Sequence, residues 1–113
     1  MATECLFCRI VRREIPAGIV HETEDVIAFR DISPQAPVHV IIIPKTHVPS
    51  LDRAMDASML GKMSLAAAEI ARNKGIAEDG YRTVMNTNSA AGQTVFHIHM
   101  HLLGGRKLDW PPG

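Results

Sequence analysis

"VFHIHMHLLGG", Val95–Gly105, is the stretch on which the fold turns. His97, His99 and His101 alternate there with apolar residues, and the chain has only six histidines. Alternation is the two-residue period of a β-strand, which sends side chains to opposite faces in turn. A strand throughout would put the three imidazoles on one face. Ile98, Met100 and Leu102 would share the other, against the core. On such a row residues i and i+4 lie about 13 Å apart at Cα, whereas metal–nitrogen bonds are about 2.0–2.1 Å. One ion can bridge two neighbours, but three rings in line would strain the site, so separate roles are expected. The bland alternative is a solvated, incidentally His-rich sheet face. The small-residue loop "SAAGQT" just before the row argues against that. Backbone built from such residues approaches a ligand closely, and its N–H groups can form an anion nest. A neutral imidazole nitrogen beside a bound phosphate is a nucleophile for phosphorus.

Working outward, "VHVIIIP" (38–44) reads as the strongest strand, central and covered on both faces, and closed by Pro44. "VIAFRDI" (26–32) and "YRTVMNTN" (81–88) read as strands from their β-branched and aromatic content, and "GIVHETED" (18–25) as a short one. Leu6, Phe7, Ile10 and Val11 are spaced for a short helix, stopped by Pro16 and Gly18. The segment 50–80 holds a long helix. Its start is capped by Ser50 or Asp56, its stripe is Met59, Leu60, Met63, Ala66, Ala67 and Ile70, and Gly75 and Gly80 mark its exit. The order predicts an α+β domain: a mostly antiparallel five-stranded sheet with a long helix and a short N-terminal helix.

The 113 residues are expected to form one domain, 1–113, with 104–113 as a Gly- and Pro-rich tail whose Trp110 seeks something to pack on. Twelve basic and twelve acidic residues cancel, so no nucleic-acid partner is expected. No apolar run approaches the ~20 residues of a membrane span. Arg9, Arg12 and Arg13 interrupt the apolar residues near the start, so no leader is read and the expected location is the cytoplasm. In a reducing compartment, Cys5 and Cys8 point to metal or redox chemistry more than to a disulfide.

"HIHMHLL" resembles the histidine triad (HIT) motif. "EIPAGIVHETEDVIAFRDISPQAPVHVIIIPKTH", "GQTVFHIHMHLLGGR" and "WPPG" are similar to the Hint branch of histidine triad nucleotide-binding proteins, across nearly the whole chain. The resemblance implies a homodimeric α+β fold, with the sheet extended across the dimer and the long helix paired with its copy. It implies hydrolysis of purine nucleoside 5′-phosphoramidates, amides of AMP or GMP, at the P–N bond. His99 matches the nucleophile and His101 a phosphate contact. Gln93 and Thr94 match the phosphate loop, where their N–H groups would hold the phosphate. The Thr94 hydroxyl stands where the family commonly has serine, and its extra methyl touches leaving-group fit. Asn86 matches a further phosphate or leaving-group contact. His39 matches a histidine behind the triad, and Asp31 the ribose carboxylate. Phe7, Ile10, Phe29, Ile32 and Ile41 match the apolar base slot, and Trp110 matches a tail residue near the leaving group.

Some bacterial relatives of this kind carry the "CLFC" pair together with "PKTH". By that resemblance Cys5, Cys8, His47 and His97 form a Cys₂His₂ set for structural zinc, with no cofactor needed for the chemistry itself. A reduced thiol pair beside the base slot is the alternative. Competing functions are a dinucleoside polyphosphate hydrolase or nucleotidyl transferase, a zinc hydrolase using the triad as ligands, and a nucleotide-binding scaffold.

Overall fold

The computed structural model describes residues 5–113; residues 1–4, part of the stretch read for a leader, lie outside the described residues. Chain order is α1 (Leu6–Val11), β1 (Ile19–Glu22), β2 (Val26–Arg30), β3 (Val38–Pro44), a 3-10 turn at Leu51–Arg53, α2 (Ala57–Asn73), β4 (Tyr81–Val84), a 3-10 turn at Ser89–Ala91 and β5 (Met100–Gly104). The five strands form one antiparallel sheet in the order β1-β2-β3-β5-β4. "VHVIIIP" is therefore central, as expected. It has a strand on each side and a helix over each face, which is why an almost wholly apolar run suits it.

The period of two sorts the strands into two faces. Val26, Ala28, Val40, Ile42, Met100 and Leu102 pack under α2, against Met63, Ala66, Ala67, Ile70 and Ala71. Ile27, Phe29, Ile41 and Ile43 pack under α1, against Phe7 and Ile10. Asp56 is the N-cap of α2, its carboxylate accepting from the Ser58 and Met59 N–H groups, whereas Ser50 precedes the first 3-10 turn. Most of the long helix's apolar stripe is turned to its own sheet: Met63, Ala67 and Ile70 are buried there. These residues serve the chain's own core.

The third histidine lies on β5 and the first two do not. β5 begins at Met100, after a bend at Val95–His97. Pro44 explains the truncation. The Lys45 N–H donates to Asp25 O on the β2 side, so position 44 faces β5. There proline offers no N–H to extend the ladder beyond Ile42 opposite Met100. Ile98 instead donates its N–H to Val48 O at 2.6 Å. β4 likewise ends at Val84, short of Asn86.

Candidate active site

The histidine row is not a solvated face. His97 is fully buried and His99 is 7% exposed, because the Phe7 ring of α1 lies edge-on to both, with centroids 6.0 and 5.1 Å away. Each ring meets a different partner, and the partners fix the tautomers. A carbonyl oxygen only accepts, so the ring nitrogen facing it must carry hydrogen. His97 Nε2–H donates to Pro44 O at 2.8 Å, the same carbonyl that proline left unpaired by ending the ladder. His99 Nδ1–H donates to His97 O at 2.8 Å. The lone pair of His97 is thereby on Nδ1 and that of His99 on Nε2.

His101 is set by a relay. The Gln35 backbone N–H donates to His39 Nδ1 at 2.9 Å, so in the neutral ring Nε2 carries the hydrogen. That Nε2–H donates to His101 Nδ1 at 2.9 Å, with Asp31 Oδ2 3.3 Å away as a second acceptor. His101 must then hold its own hydrogen on Nε2. Burial favours the neutral form of His101, His39 and His97. It pushes His101 down to about 4, helped by the neighbouring His99 and His39 and opposed by Asp31. It also lowers His39, again opposed by Asp31. His97 is pushed down to about 4 by burial, despite its bond to Pro44. One short stretch thus presents three chemistries: a lone pair at His97 Nδ1, a lone pair at His99 Nε2 and a donor at His101 Nε2.

The His97 lone pair points into a thiol cluster. Its Nδ1 lies 3.4 Å from Cys5 Sγ, 3.6 Å from Cys8 Sγ and 3.2 Å from His47 Nδ1, and Cys8 Sγ lies 3.4 Å from His47 Nδ1. All four donor atoms lie within 4.8 Å of one another. Zinc bonds of about 2.3 Å to sulfur and 2.0–2.1 Å to nitrogen give tetrahedral edges of about 3.5 Å for S···N and 3.3 Å for N···N. The residues fit such an ion, with His97 already oriented by the bond its other nitrogen makes. The cluster also joins α1 to the loop after β3 and to the histidine row.

A cavity of about 230 Å³ runs along α1, lined by Phe7, Ile10, Phe29, Asp31, Ile32 and Ile41 among others. Phe7 packs edge-on to Phe29 at 5.4 Å. Ile32 is fully exposed at its rim, while Phe7, Ile10, Phe29 and Ile41 are buried. Asp31 is held in place by the Ser33 N–H, which donates to its Oδ1 at 2.7 Å. On the other side of Leu6 a second cavity, about 490 Å³, is lined by Cys5, His47, Pro49, Thr94, Val95 and Phe96.

A histidine row with these flanking groups can be placed among known proteins. The HIT domain family matches residues 12–108. A purine nucleoside phosphoramidase of Escherichia coli (strain K12) is 56% identical over 110 residues, covering 96% of this chain and 92% of that protein. The chain belongs to the HIT family. A HIT-like protein of Synechococcus elongatus is 51% identical over 115 residues, with both chains covered in full. Among solved structures, a HIT family hydrolase from Legionella pneumophila Philadelphia 1 has a TM-score of 0.95 at 49% identity, covering 97% of this chain and 100% of that one.

Of the residues expected in a HIT site, Phe7, Ile10, Phe29, Asp31, Ile32 and Ile41 meet in one cavity, and His39 on β3 meets His101, which in turn meets His99. Gln93 departs from expectation. Its N–H donates to Asn88 O at 3.1 Å, and its buried amide bridges Pro49 O, Val95 O and the Asn88 N–H. It braces the loop and does not offer that N–H to a phosphate. Thr94 is exposed on the second cavity, and Asn86 is half-buried past the end of β4. Trp110 is 80% exposed, with the Arg82 guanidinium carbon 5.9 Å from its ring centroid, so within this chain its packing is slight. Sequence reasoning missed Leu6, Ile15 and Ala17 as cavity walls and Gln35 as the origin of the relay. The turn "EIPAG" was a signal for the walls. A backbone N–H carries none.

Proposed function

We propose that this HIT protein hydrolyses purine nucleoside 5′-phosphoramidates through a nucleotidyl intermediate on His99. The observation that carries the reading is the pair of opposite tautomers on adjacent rings: a lone pair on His99 Nε2 beside a hydrogen on His101 Nε2. In this reading His99 Nε2 attacks the α-phosphorus and the P–N bond breaks. The amine leaves with a proton, for which the Thr94 hydroxyl is the proposed donor. As the His99 ring gains positive charge, its Nδ1–H bond to His97 O strengthens. His101 Nε2–H meets a non-bridging oxygen, where charge accumulates. Water then attacks phosphorus and returns a proton to the Thr94 oxygen, the His99–phosphorus bond breaks, and the nucleotide is released with His99 and Thr94 restored.

The base is assigned to the α1 cavity, with the ribose hydroxyls at Asp31. Thr94 N–H and Asn86 are the remaining proposed phosphate or leaving-group contacts. Zinc held by Cys5, Cys8, His47 and His97 would be structural, a closed four-ligand site that orders the fold rather than activating water. The thiols suit a reducing compartment, so the cytoplasm is the proposed location. A homodimer is proposed through β4, whose outer edge is unpaired in the sheet order, and the exposed face of α2 carrying Leu65, 72% exposed. Trp110, largely exposed in one chain, is proposed to shape leaving-group preference near a second chain's site.

The test is hydrolysis of adenosine 5′-phosphoramidate by wild type and His99→Ala under brief chelation, with folding monitored by circular dichroism. Wild type should turn over and form a nucleotidyl adduct at His99 in quenched samples. The variant should lose at least about 10³-fold in kcat. The same preparation should carry zinc and sediment as a dimer. Turnover that vanishes with chelation while the fold persists, and returns with zinc, would instead mark a metallohydrolase.

A further inference from the structure

We propose that Arg106 is a positioning residue for the phosphate donor His101, acting through Gln35 and His39. The inference rests on the phosphoryl role read above for His101, but the chain of contacts stands by itself. Arg106 Nε–H and Nη2–H both donate to Gln35 O, at 3.2 and 2.9 Å. Gln35 then donates its own N–H to His39 Nδ1, and His39 Nε2–H donates to His101 Nδ1, each at 2.9 Å. Gln35 is therefore gripped at its carbonyl by the guanidinium while its amide sets the tautomer of two rings in series.

The approach of Arg106 to this loop is built into the backbone. β5 ends at Gly104, and Gly105 turns the chain with φ +90°. A Cβ at Gly105 would lie 2.9 Å from Pro37 Cβ, so only glycine lets the tail pass this close to the Gln35 loop without a shift. Asp31 holds the start of the same loop through the Ser33 N–H, and the Gln35 side chain donates to Ser33 O at 3.0 Å. These contacts shape the first half of the loop, leaving Arg106 to fix the peptide that follows Gln35. Loss of the clamp frees the peptide that follows Gln35, so the Gln35 backbone can shift and draw its N–H, in the preceding peptide, away from His39. His39 can then swap its ring hydrogen, and His101 follows, turning a donor toward phosphate into an acceptor facing anionic oxygen.

The experiment is imidazole ¹⁵N NMR on histidine-labelled protein at pH 7, paired with kinetics on adenosine 5′-phosphoramidate. Wild type should show His39 and His101 each fixed as the Nε2–H form. In Arg106→Ala both rings should show averaged tautomer signals, and kcat should fall about tenfold with KM changed less than twofold. That is milder than the about 10²–10³-fold expected for outright loss of an oxyanion donor. Arg106→Lys, which keeps one donor, should restore part of both readouts, and it serves if the alanine variant folds poorly. Arg82→Ala is the control. It releases the tail from Leu108 O and Asp109 O without touching the clamp, and should leave both rings in the wild-type tautomer. Fixed tautomers in Arg106→Ala, or equal averaging in Arg82→Ala, would overturn the proposal. Averaged tautomers in a protein whose wild type hydrolyses no phosphoramidate would uphold the clamp and sink the substrate reading instead.

Discussion

The two faces of the sheet are covered very differently. Under α2, a 17-residue helix capped by Asp56 lies on a continuous apolar layer with Met63 and Ile42 at 0% exposure. Under α1, only six helical residues cover the sheet, and the layer beneath them contains His97 and His99. A helix of six residues is far below the ~12–15 at which isolated helices become even marginal in water. The first face holds itself together by area. The second is held at points: Phe7 against three rings, the Cys5–Cys8–His47–His97 cluster, and hydrogen bonds that end on carbonyls. Point attachment is what leaves room for a cavity along α1. The division predicts that damage to the α2 face reads out as stability, and damage to the α1 face as binding and acid sensitivity.

The largest effect should come from the α2 face. Met63→Ala removes a fully buried side chain from between α2 and the sheet. It should cost about 2–5 kcal/mol in denaturant unfolding, with kcat per folded molecule unchanged. A changed kcat with little loss of stability would show that the two faces are not separable in this way.

Acid should act on the α1 face next. His101 is held near 4 in the folded protein, below the 6.5 of a free histidine. Above pH 6.5 the ring is neutral in both states and contributes nothing. As pH falls from 6.5, the unfolded chain takes the proton and the native ring does not, so stability declines until about pH 4 and then levels. The total decline from this ring is at most about 3 kcal/mol. Urea unfolding at pH 7 and pH 4.5 should show the decline, and His101→Gln should shrink it. An undiminished decline in the variant would place the acid sensitivity elsewhere.

How much of this could be read in advance follows the same division. The α2 face was legible because apolar periodicity is a property of neighbours in sequence: "VHVIIIP", the stripe around Met63 and Ala67, and the Asp56 cap all carry their signal locally. The walls Phe7, Phe29 and Ile41 were legible only by resemblance, since periodicity marks them as core, which they also are. The extent of β5 was misread because the residue that ends its ladder, Pro44, is on another strand. The tautomers were out of reach for the same reason. They are set by Pro44 O, His97 O and the Gln35 N–H, backbone groups that every residue possesses. Gln93 was assigned to the ligand by resemblance, and only its partners Asn88, Pro49 and Val95 reveal a brace.

The smallest expected effect is the most discriminating for the comparison. Cys5→Ser with Cys8→Ser leaves the Phe7 and Ile10 contacts of α1 in place and removes the two thiols of the proposed zinc site. Cys5 also forms the N-cap of α1, its sulfur accepting from the Cys8 N–H at 3.4 Å, and serine is itself a good cap, so the helix start survives the change. What is lost is the tie from α1 to His47 and His97. If α1 is held at points, its six residues should loosen over the α1 cavity. AMP affinity should then fall about tenfold, equivalent to about 1.4 kcal/mol. Amide exchange should quicken in residues 6–11 while that of α2 stays as it was. Zinc bound at the proposed site should fall in parallel. Unchanged AMP affinity and exchange would mean that Phe7 and Ile10 anchor α1 by packing alone, and that the two faces are held by the same kind of force.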